Sequence, residues 1–181
     1  MHTQNPRPFC LLVRAGVIPK KKNMDTQETK QVKIAFDLEP SDFHYHSSET
    51  LWANYLGDDN YQLDNTPIFA YGVSYGDIVE AKKRTENDFP RYIRTIKNSG
   101  HSTYRIIILN QKTISNNAAF DKYWEPLKKL GCSYEGFEDY MLAVDVPLNA
   151  DINEAYSLLE KGETDGVWSF EEGHCGHNIE V

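Results

Sequence analysis

The sequence predicts an α+β protein in which a small curled β-sheet or barrel precedes a ferredoxin-like β-α-β-β-α-β unit. Residues 31–98 alternate apolar and polar side chains between closely spaced turns, and they show no helical period. Residues 99–177 combine a continuous apolar run with stretches whose apolar residues follow a helical period. The pattern changes at residues 97–102, so we expect the boundary between two subdomains, 31–98 and 99–177, at that point.

The first subdomain is predicted to contain roughly five or six short strands and no helix, which favours a curled sheet or barrel. Alternation is clearest at residues 32–38, where Val, Ile, Phe and Leu side chains share one face. The turn signal Gly57-Asp58-Asp59-Asn60 separates the next two alternating stretches. The remaining strand candidates lie at 68–71, 77–82 and 92–96.

The second subdomain begins with residues 104–109, an apolar run that predicts a strand buried on both faces. A helical stripe extends from Phe120 to Leu130, and Pro126 inside it predicts a kink because proline has no N–H to donate. Asp151 opens a sequence typical of a capped helix. Further strands are predicted at 132–134, 140–146 and 167–170.

Composition and charge narrow the classes of partner and compartment. The chain has 181 residues and a net charge of -8, from 19 Lys and Arg against 27 Asp and Glu. A field of this sign repels phosphate backbones, so we expect no nucleic-acid partner and favour a basic protein. No apolar run approaches the ~20 residues of a membrane span, so no membrane partner is expected. The three cysteines have no CxxC spacing, which favours a reducing cytoplasm.

The first 30 residues are interpreted as a polar, flexible N-terminal arm that holds one short apolar stretch at residues 9–13. Met24 resembles a natural start, so residues 1–23 are interpreted as an upstream extension or a poorly ordered tail. The apolar stretch is too short for the centre of a signal peptide, and the basic residues follow it instead of preceding it.

The densest polar cluster is Ser99-Gly100-His101-Ser102-Thr103, with Arg105 two residues further on. His101 could carry a proton near neutral pH, Ser99 or Ser102 could orient a ligand, and Arg105 could clamp an anion. The same residues are also typical of a turn that leads into a strand, with the hydroxyls bonded to the local backbone. We favour the turn and keep the cluster as the alternative, a candidate site.

A second cluster surrounds the turns near residues 63–77. Asp64, Asn65 and Asp77 could hold a cation, a ligand or a proton if the fold brings them together. Asp-Asn before Pro, and Gly before Asp, are also ordinary turn chemistry. We therefore expect these residues to make turns first, and treat them as weak ligand-binding candidates.

Histidines and a cysteine near the C-terminus raise the possibility of metal binding. His174, Cys175 and His177 lie close together, but no second pair of ligands stands at zinc spacing. A polar tail is the favoured interpretation, and a solvated loop is favoured for His44 and His46. We expect no metal and no cofactor.

Three motifs in order resemble a known family. They are Leu51-Trp52-Ala53, the stretch 61–79 with its Leu-Asp-Asn and Gly-Asp pairs, and 99–105. Together they resemble the bacterial domain of unknown function 4265, over roughly residues 31–175. The resemblance implies a bacterial, cytoplasmic protein and carries no established chemistry. Its signature residues map here onto Trp52, Asp64, Asn65, Pro67, Gly72, Gly76, Asp77, Gly100, His101 and Arg105.

Two functions from different classes remain open at this point. The leading hypothesis is a non-catalytic protein-binding module of the immunity type, whose partner is a basic protein such as a toxin. The alternative is an enzyme or small-ligand binder with a polar site around His101. A weaker option, by analogy with the predicted fold, is a regulatory module that forms a homo-oligomer through sheet edges.

Overall fold

The computed structural model describes residues 30–39, 45–109 and 118–178. These residues form an α+β structure, as predicted, in which a closed barrel precedes a four-stranded sheet. The predicted N-terminal arm, apart from Lys30, lies outside the described residues. The elements are β1 Gln31–Asp37, β2 Ser48–Gly57, β3 Asn60–Leu63, β4 Ile78–Lys82, β5 Arg91–Lys97, β6 Ser102–Ile108, α1 Ala118–Lys129, β7 Ser133–Phe137, β8 Met141–Val146, α2 Ile152–Thr164 and β9 Trp168–His174.

The barrel contains β1 to β5 in sequence order, and each strand pairs antiparallel with the next. A meander with an odd number of strands must close with a parallel pair. Here β1 meets β5 at Ala35 and Arg91, and the Ala35 N–H donates to the Pro90 carbonyl at 2.8 Å. The inward side chains of the alternating strands fill the barrel. They include Ile34, Phe36, Leu51, Ala53, Tyr61, Leu63, Val79 and Ala81.

The sheet has the strand order β7-β8-β6-β9 and is antiparallel throughout. Each helix joins two strands that are not neighbours, which is the ferredoxin-like arrangement predicted from the sequence. Both helices pack on one face of the sheet, over a core that contains Tyr104, Ile106, Leu127, Leu142, Leu159 and Trp168. The predicted strand in residues 104–109 is β6, and it is buried on both faces.

Local signals in the sequence account for the helix ends. The Asp151 carboxylate caps α2, because it accepts the N–H groups of Asn153 at 2.9 Å and Glu154 at 3.0 Å. Pro126 lies inside α1, which continues to Lys129.

No helix in the described part of the chain is long and apolar enough to cross a membrane.

The connection between β3 and β4, residues 64–77, covers the face of the sheet that the helices leave open. We call it the crossing segment. Asn65 contacts Glu135 on β7, and the Gly72 N–H donates to the Gly173 carbonyl on β9 at 3.1 Å. Ile68 and Phe69, from the stretch predicted as a possible strand, instead pack in a small apolar cluster on the sheet. The barrel and the sheet therefore meet through this segment.

Candidate functional site at the seam

The polar residues that the sequence singles out lie where the crossing segment and the entry to β6 meet the barrel and the sheet, a region that we call the seam. Asp64 and Asn65 open the crossing segment, and Asp77 ends it. Ser99 and His101 precede β6. Ser102 opens β6 and Arg105 lies at its centre. These residues share one region, but each contacts different partners.

Asp77 ties the end of the crossing segment to the entry of β6. The carboxylate is buried, and its two oxygens accept the N–H of Ser74 at 2.9 Å and the N–H of Ser99 at 2.7 Å. The Ser99 hydroxyl donates to the Tyr75 carbonyl at 2.7 Å and accepts the His101 N–H at 3.2 Å. Asp77 is thus both a turn residue and a link across the seam.

Gly100 allows the chain to turn between Ser99 and His101. Its φ of +84° lies in the region that favours glycine. A Cβ at this position would also collide with Leu148. The glycine therefore fixes the direction in which His101 leaves the turn.

Asn65 joins the barrel to the far edge of the sheet. Its side-chain oxygen accepts the Trp52 N–H at 2.8 Å, and its side-chain nitrogen donates to Glu135 on β7 at 2.6 Å. Glu135 also accepts the Thr66 N–H at 2.9 Å. Asp64, by contrast, accepts from the exposed Gln31 side chain at 2.6 Å.

Ser102 anchors the residues that follow β9. Its hydroxyl lies 2.7 Å from His177 Nδ1 and accepts the Gly176 N–H at 3.0 Å. His177 Nε2 lies 3.1 Å from the Pro147 carbonyl, which can only accept, so Nε2 is the donor there and, in the neutral imidazole, Nδ1 accepts from Ser102. The hydroxyl therefore serves to dock the C-terminal tail.

The residues considered as metal ligands do not come together in a metal site. Within the described residues, no group of His, Cys, Asp and Glu side chains is arranged to hold a metal ion. His44 lies outside the described residues. The His46 ring packs on Phe69, with 4.5 Å between ring centroids, and meets Phe137 edge-on.

Arg105 is the centre of the contacts between the crossing segment and the sheet. Its buried guanidinium pairs with Glu171 on β9 and donates to the carbonyls of Phe69 at 3.3 Å and Ala70 at 3.2 Å. It also lies 3.8 Å from the ring centroid of Tyr71, whose hydroxyl donates to Glu171 at 3.0 Å. A planar group with several fixed donors suits this combination of partners.

Glu49 on β2 binds the same turn from the barrel side. Its carboxylate accepts the N–H groups of Ile68 at 2.8 Å, Phe69 at 3.0 Å and Ala70 at 2.8 Å. Burial raises the pKa of Glu49, while these donors and the charge of Arg105 lower it. The turn at residues 68–70 is therefore held between the Glu49 carboxylate and the Arg105 guanidinium, an arrangement that we call the Glu49–Arg105 clamp.

The pair formed by His101 and Asp145 has the clearest capacity for chemistry. His101 Nδ1 lies 2.8 Å from a carboxylate oxygen of Asp145, and the imidazole is 21% exposed. This hydrogen bond raises the pKa of His101, burial opposes it, and the charges of Asp145 and Asp77 add to the rise. Tyr75 lies beside the ring, with 5.6 Å between centroids. The pair can hold and release a proton near neutral pH.

Several residues at the seam were missed at the level of sequence. They are Glu49, Glu135, Asp145 and Glu171. Asp145 carries a usable signal, because it is a single carboxylate inside the otherwise apolar strand β8. Glu49, Glu135 and Glu171 lie in strands with ordinary alternation, so nothing local distinguishes them from solvated carboxylates.

Comparisons with known proteins bear on the family and the fold. A family model described as domain of unknown function (DUF4265) matches residues 49–170. A solved structure titled "Novel crystal structure of a hypothetical protein from Neisseria gonorrhoeae" is similar in fold, with a TM-score of 0.66 and 17% sequence identity. The alignment covers 85% of this chain and 100% of that chain. No functionally curated protein matches the sequence.

We predict that Arg105→Met destabilises the fold by about 3–5 kcal/mol, because it leaves the buried carbonyls of Phe69 and Ala70 without their donor and Glu171 without its cation. Arg105→Lys keeps the charge but loses the planar fork, so we expect about 2 kcal/mol. Urea denaturation gives both values. The matched control is Arg94→Met, which breaks an exposed pair with Glu80 and should leave the midpoint nearly unchanged. Equal effects at Arg105 and Arg94 would contradict the clamp.

We predict that the imidazole of His101 titrates above its ordinary range, and that Asp145→Asn lowers this pKa. Because the folded-state pKa is raised, the stabilisation is complete below the unfolded value of about 6.5 and is lost as the pH rises through the folded value. NMR titration of the His101 ring and unfolding free energies at several pH values measure both effects. A His101 pKa that does not change in Asp145→Asn would exclude this coupling.

Proposed function

The chain belongs to the family of domain of unknown function 4265. Since the description of this family gives no activity, we propose a function from the surfaces of the chain itself. The protein is a non-catalytic protein-binding module of the immunity type, and its partner is a basic protein such as a toxin. The observation that carries the proposal is an acidic surface around an exposed tyrosine on α2 and β9.

Tyr156 forms the centre of this surface, which we call the α2–β9 face. The ring is 45% exposed and packs on Phe170, with 5.5 Å between ring centroids. Glu160 lies one turn further along α2. Glu172 on β9 lies opposite Tyr104 in the register of the two strands, and Tyr156 also packs on Tyr104. Around α2, residues 151–165 contain five acidic side chains and one lysine.

This composition fits a basic partner for two physical reasons. The net charge of -8 steers a cationic protein toward the surface and raises its association rate. An exposed tyrosine held rigid by ring contacts is a typical anchor at the centre of an interface, because it buries a large area at low entropic cost. Carboxylates at its rim then select for Lys and Arg on the partner.

The seam supports a non-catalytic role. Three of the signature residues hold the crossing segment in place: Asn65 and Arg105 connect it to strands of the sheet, and Asp77 connects it to the turn that precedes β6. Their hydrogen bonds therefore contribute to the fold. The described cysteines, Cys132 and Cys175, are free thiols, which supports the cytoplasm as the compartment of this proposal.

A second candidate function rests on the His101–Asp145 pair. A carboxylate orients the imidazole and the ring is partly exposed, which is the geometry of a proton carrier in an enzyme or of a ligand-binding site. Thermal-shift screening with small carboxylates and phosphates separates this candidate from the first. A ligand that raises the Tm of the wild type and not of His101→Ala would favour it.

We predict that Tyr156→Ala with Glu160→Lys abolishes capture of a basic partner. The measurement is affinity capture from lysate of the source organism at low salt, with mass spectrometry of the bound proteins. The matched control is Glu125→Lys, a charge reversal at an exposed position on α1. We expect one or more basic proteins to bind the wild type and the control, to elute with salt and to be absent from the double variant. The same proteins on all three baits, or no basic protein on the wild type, would refute the proposal.

A further inference from the structure

A groove of about 740 Å³ lies on the barrel, and none of its lining residues belongs to the α2–β9 face. Two of the lining residues, Gln31 and Trp52, bond to Asp64 and Asn65 at the start of the crossing segment. It is lined by the start of β1, by β2 and β3, and by the connection between β4 and β5. A volume of this size is typical of pockets that enclose a small ligand or a few side chains. The groove therefore suits a short segment better than the flat surface of a whole domain.

Aromatic side chains give the groove its apolar character. Tyr55 is 41% exposed and Phe89 is 55% exposed, although both are large and apolar. Tyr55 packs on Tyr61 with 5.2 Å between ring centroids, so its ring is held in place. Rigid aromatic rings that line an open pocket are the usual anchors for an inserted side chain. The groove is thus prepared to bury an aromatic or aliphatic group.

The charge of the groove is opposite to that of the chain as a whole. Lys30, Lys33 and Lys83 line it together with one carboxylate, that of Asp88. The ammonium group of Lys33 lies 5.0 Å from the ring centroid of Trp52, so a cation is placed directly beside the apolar surface. Since the chain carries a net charge of -8, this concentration of lysines is a local reversal of sign. It complements an anionic group next to an apolar one.

We propose that the groove binds a short acidic segment of a partner protein, with an aromatic or aliphatic side chain as its anchor. A peptide confines its carboxylates to the few positions that meet the lysines. A nucleic-acid strand would instead extend one phosphate per nucleotide into the negative field of the remaining surface. Charge complementarity therefore favours the peptide. This surface is separate from the α2–β9 face and does not depend on the function proposed there.

The test is selection of a random 12-residue peptide library, displayed on phage, against the whole protein. Enriched peptides are synthesised with a fluorescent label, and their affinities are measured by anisotropy. We expect enrichment of Asp and Glu beside Phe, Tyr, Trp or Leu. We expect Phe89→Ala, and the double variant Lys33→Glu with Lys83→Glu, each to weaken binding by about tenfold or more.

The controls separate this groove from general attraction to charge. Lys97→Glu and Lys129→Glu reverse exposed lysines outside the groove and should leave affinity within about twofold. Phe89 is exposed and lies in the connection between β4 and β5, outside any strand, so Phe89→Ala tests the groove with little effect on the packing of the barrel. The same peptides are measured beside a 12-nucleotide oligouridine.

Four results of these binding measurements would overturn the proposal, and a fifth would come from sedimentation. They are the absence of any enriched peptide, enrichment of basic or neutral peptides, affinity that does not change in Phe89→Ala, and tighter groove-dependent binding of oligouridine. A dimer in sedimentation that Phe89→Ala dissociates would assign the groove to a second copy of this chain and would overturn it equally.

Discussion

The buried guanidinium of Arg105 is the constraint on which the rest of the structure depends. A cation removed from water is costly unless its donors are satisfied, and here Glu171, two carbonyls of the crossing segment and the Tyr71 ring surround it. Glu49 binds the amide groups of the same turn from the barrel. The turn at residues 68–70 therefore donates its N–H groups to Glu49 of the barrel and accepts from Arg105 of the sheet. This one turn joins the two subdomains.

The clamp also holds the crossing segment against one face of the sheet. The crossing segment covers the face of the sheet opposite the helices, so that face is part of the interior. The two surfaces that we propose for recognition lie elsewhere, one on the outer side of α2 and β9 and the other in the groove on the barrel. The α2–β9 face places Tyr156 beside carboxylates, whereas the groove places Phe89 beside lysines. The His101–Asp145 pair lies at the edge of the seam, where the hydrogen bond to Asp145 raises the pKa of His101 and keeps the imidazole protonated to a higher pH.

Most of the fold could be predicted from the sequence because alternation and helical period are local signals. The strand at residues 32–38, the buried run at 104–109 and the cap at Asp151 all follow from neighbouring residues. The path of the crossing segment could not be predicted, because it depends on contacts between residues far apart in sequence, such as the bond from Arg105 to the Phe69 carbonyl. Asp77 looked like a turn residue and is one, but its second oxygen reaches Ser99, a contact between residues far apart in sequence. Asp145 as the partner of His101 was missed for the same reason.

Native-state hydrogen exchange tests most directly whether the clamp makes the barrel and the sheet one cooperative unit. The amides of Leu51 and Ala53 report on the barrel, and those of Tyr104 and Ile106 report on the sheet. The account predicts that the slowest amides of both groups open with the same free energy in the wild type, and that Arg105→Lys lowers both equally. Opening free energies that differ by more than about 2 kcal/mol between the groups, or a change confined to the sheet, would contradict it.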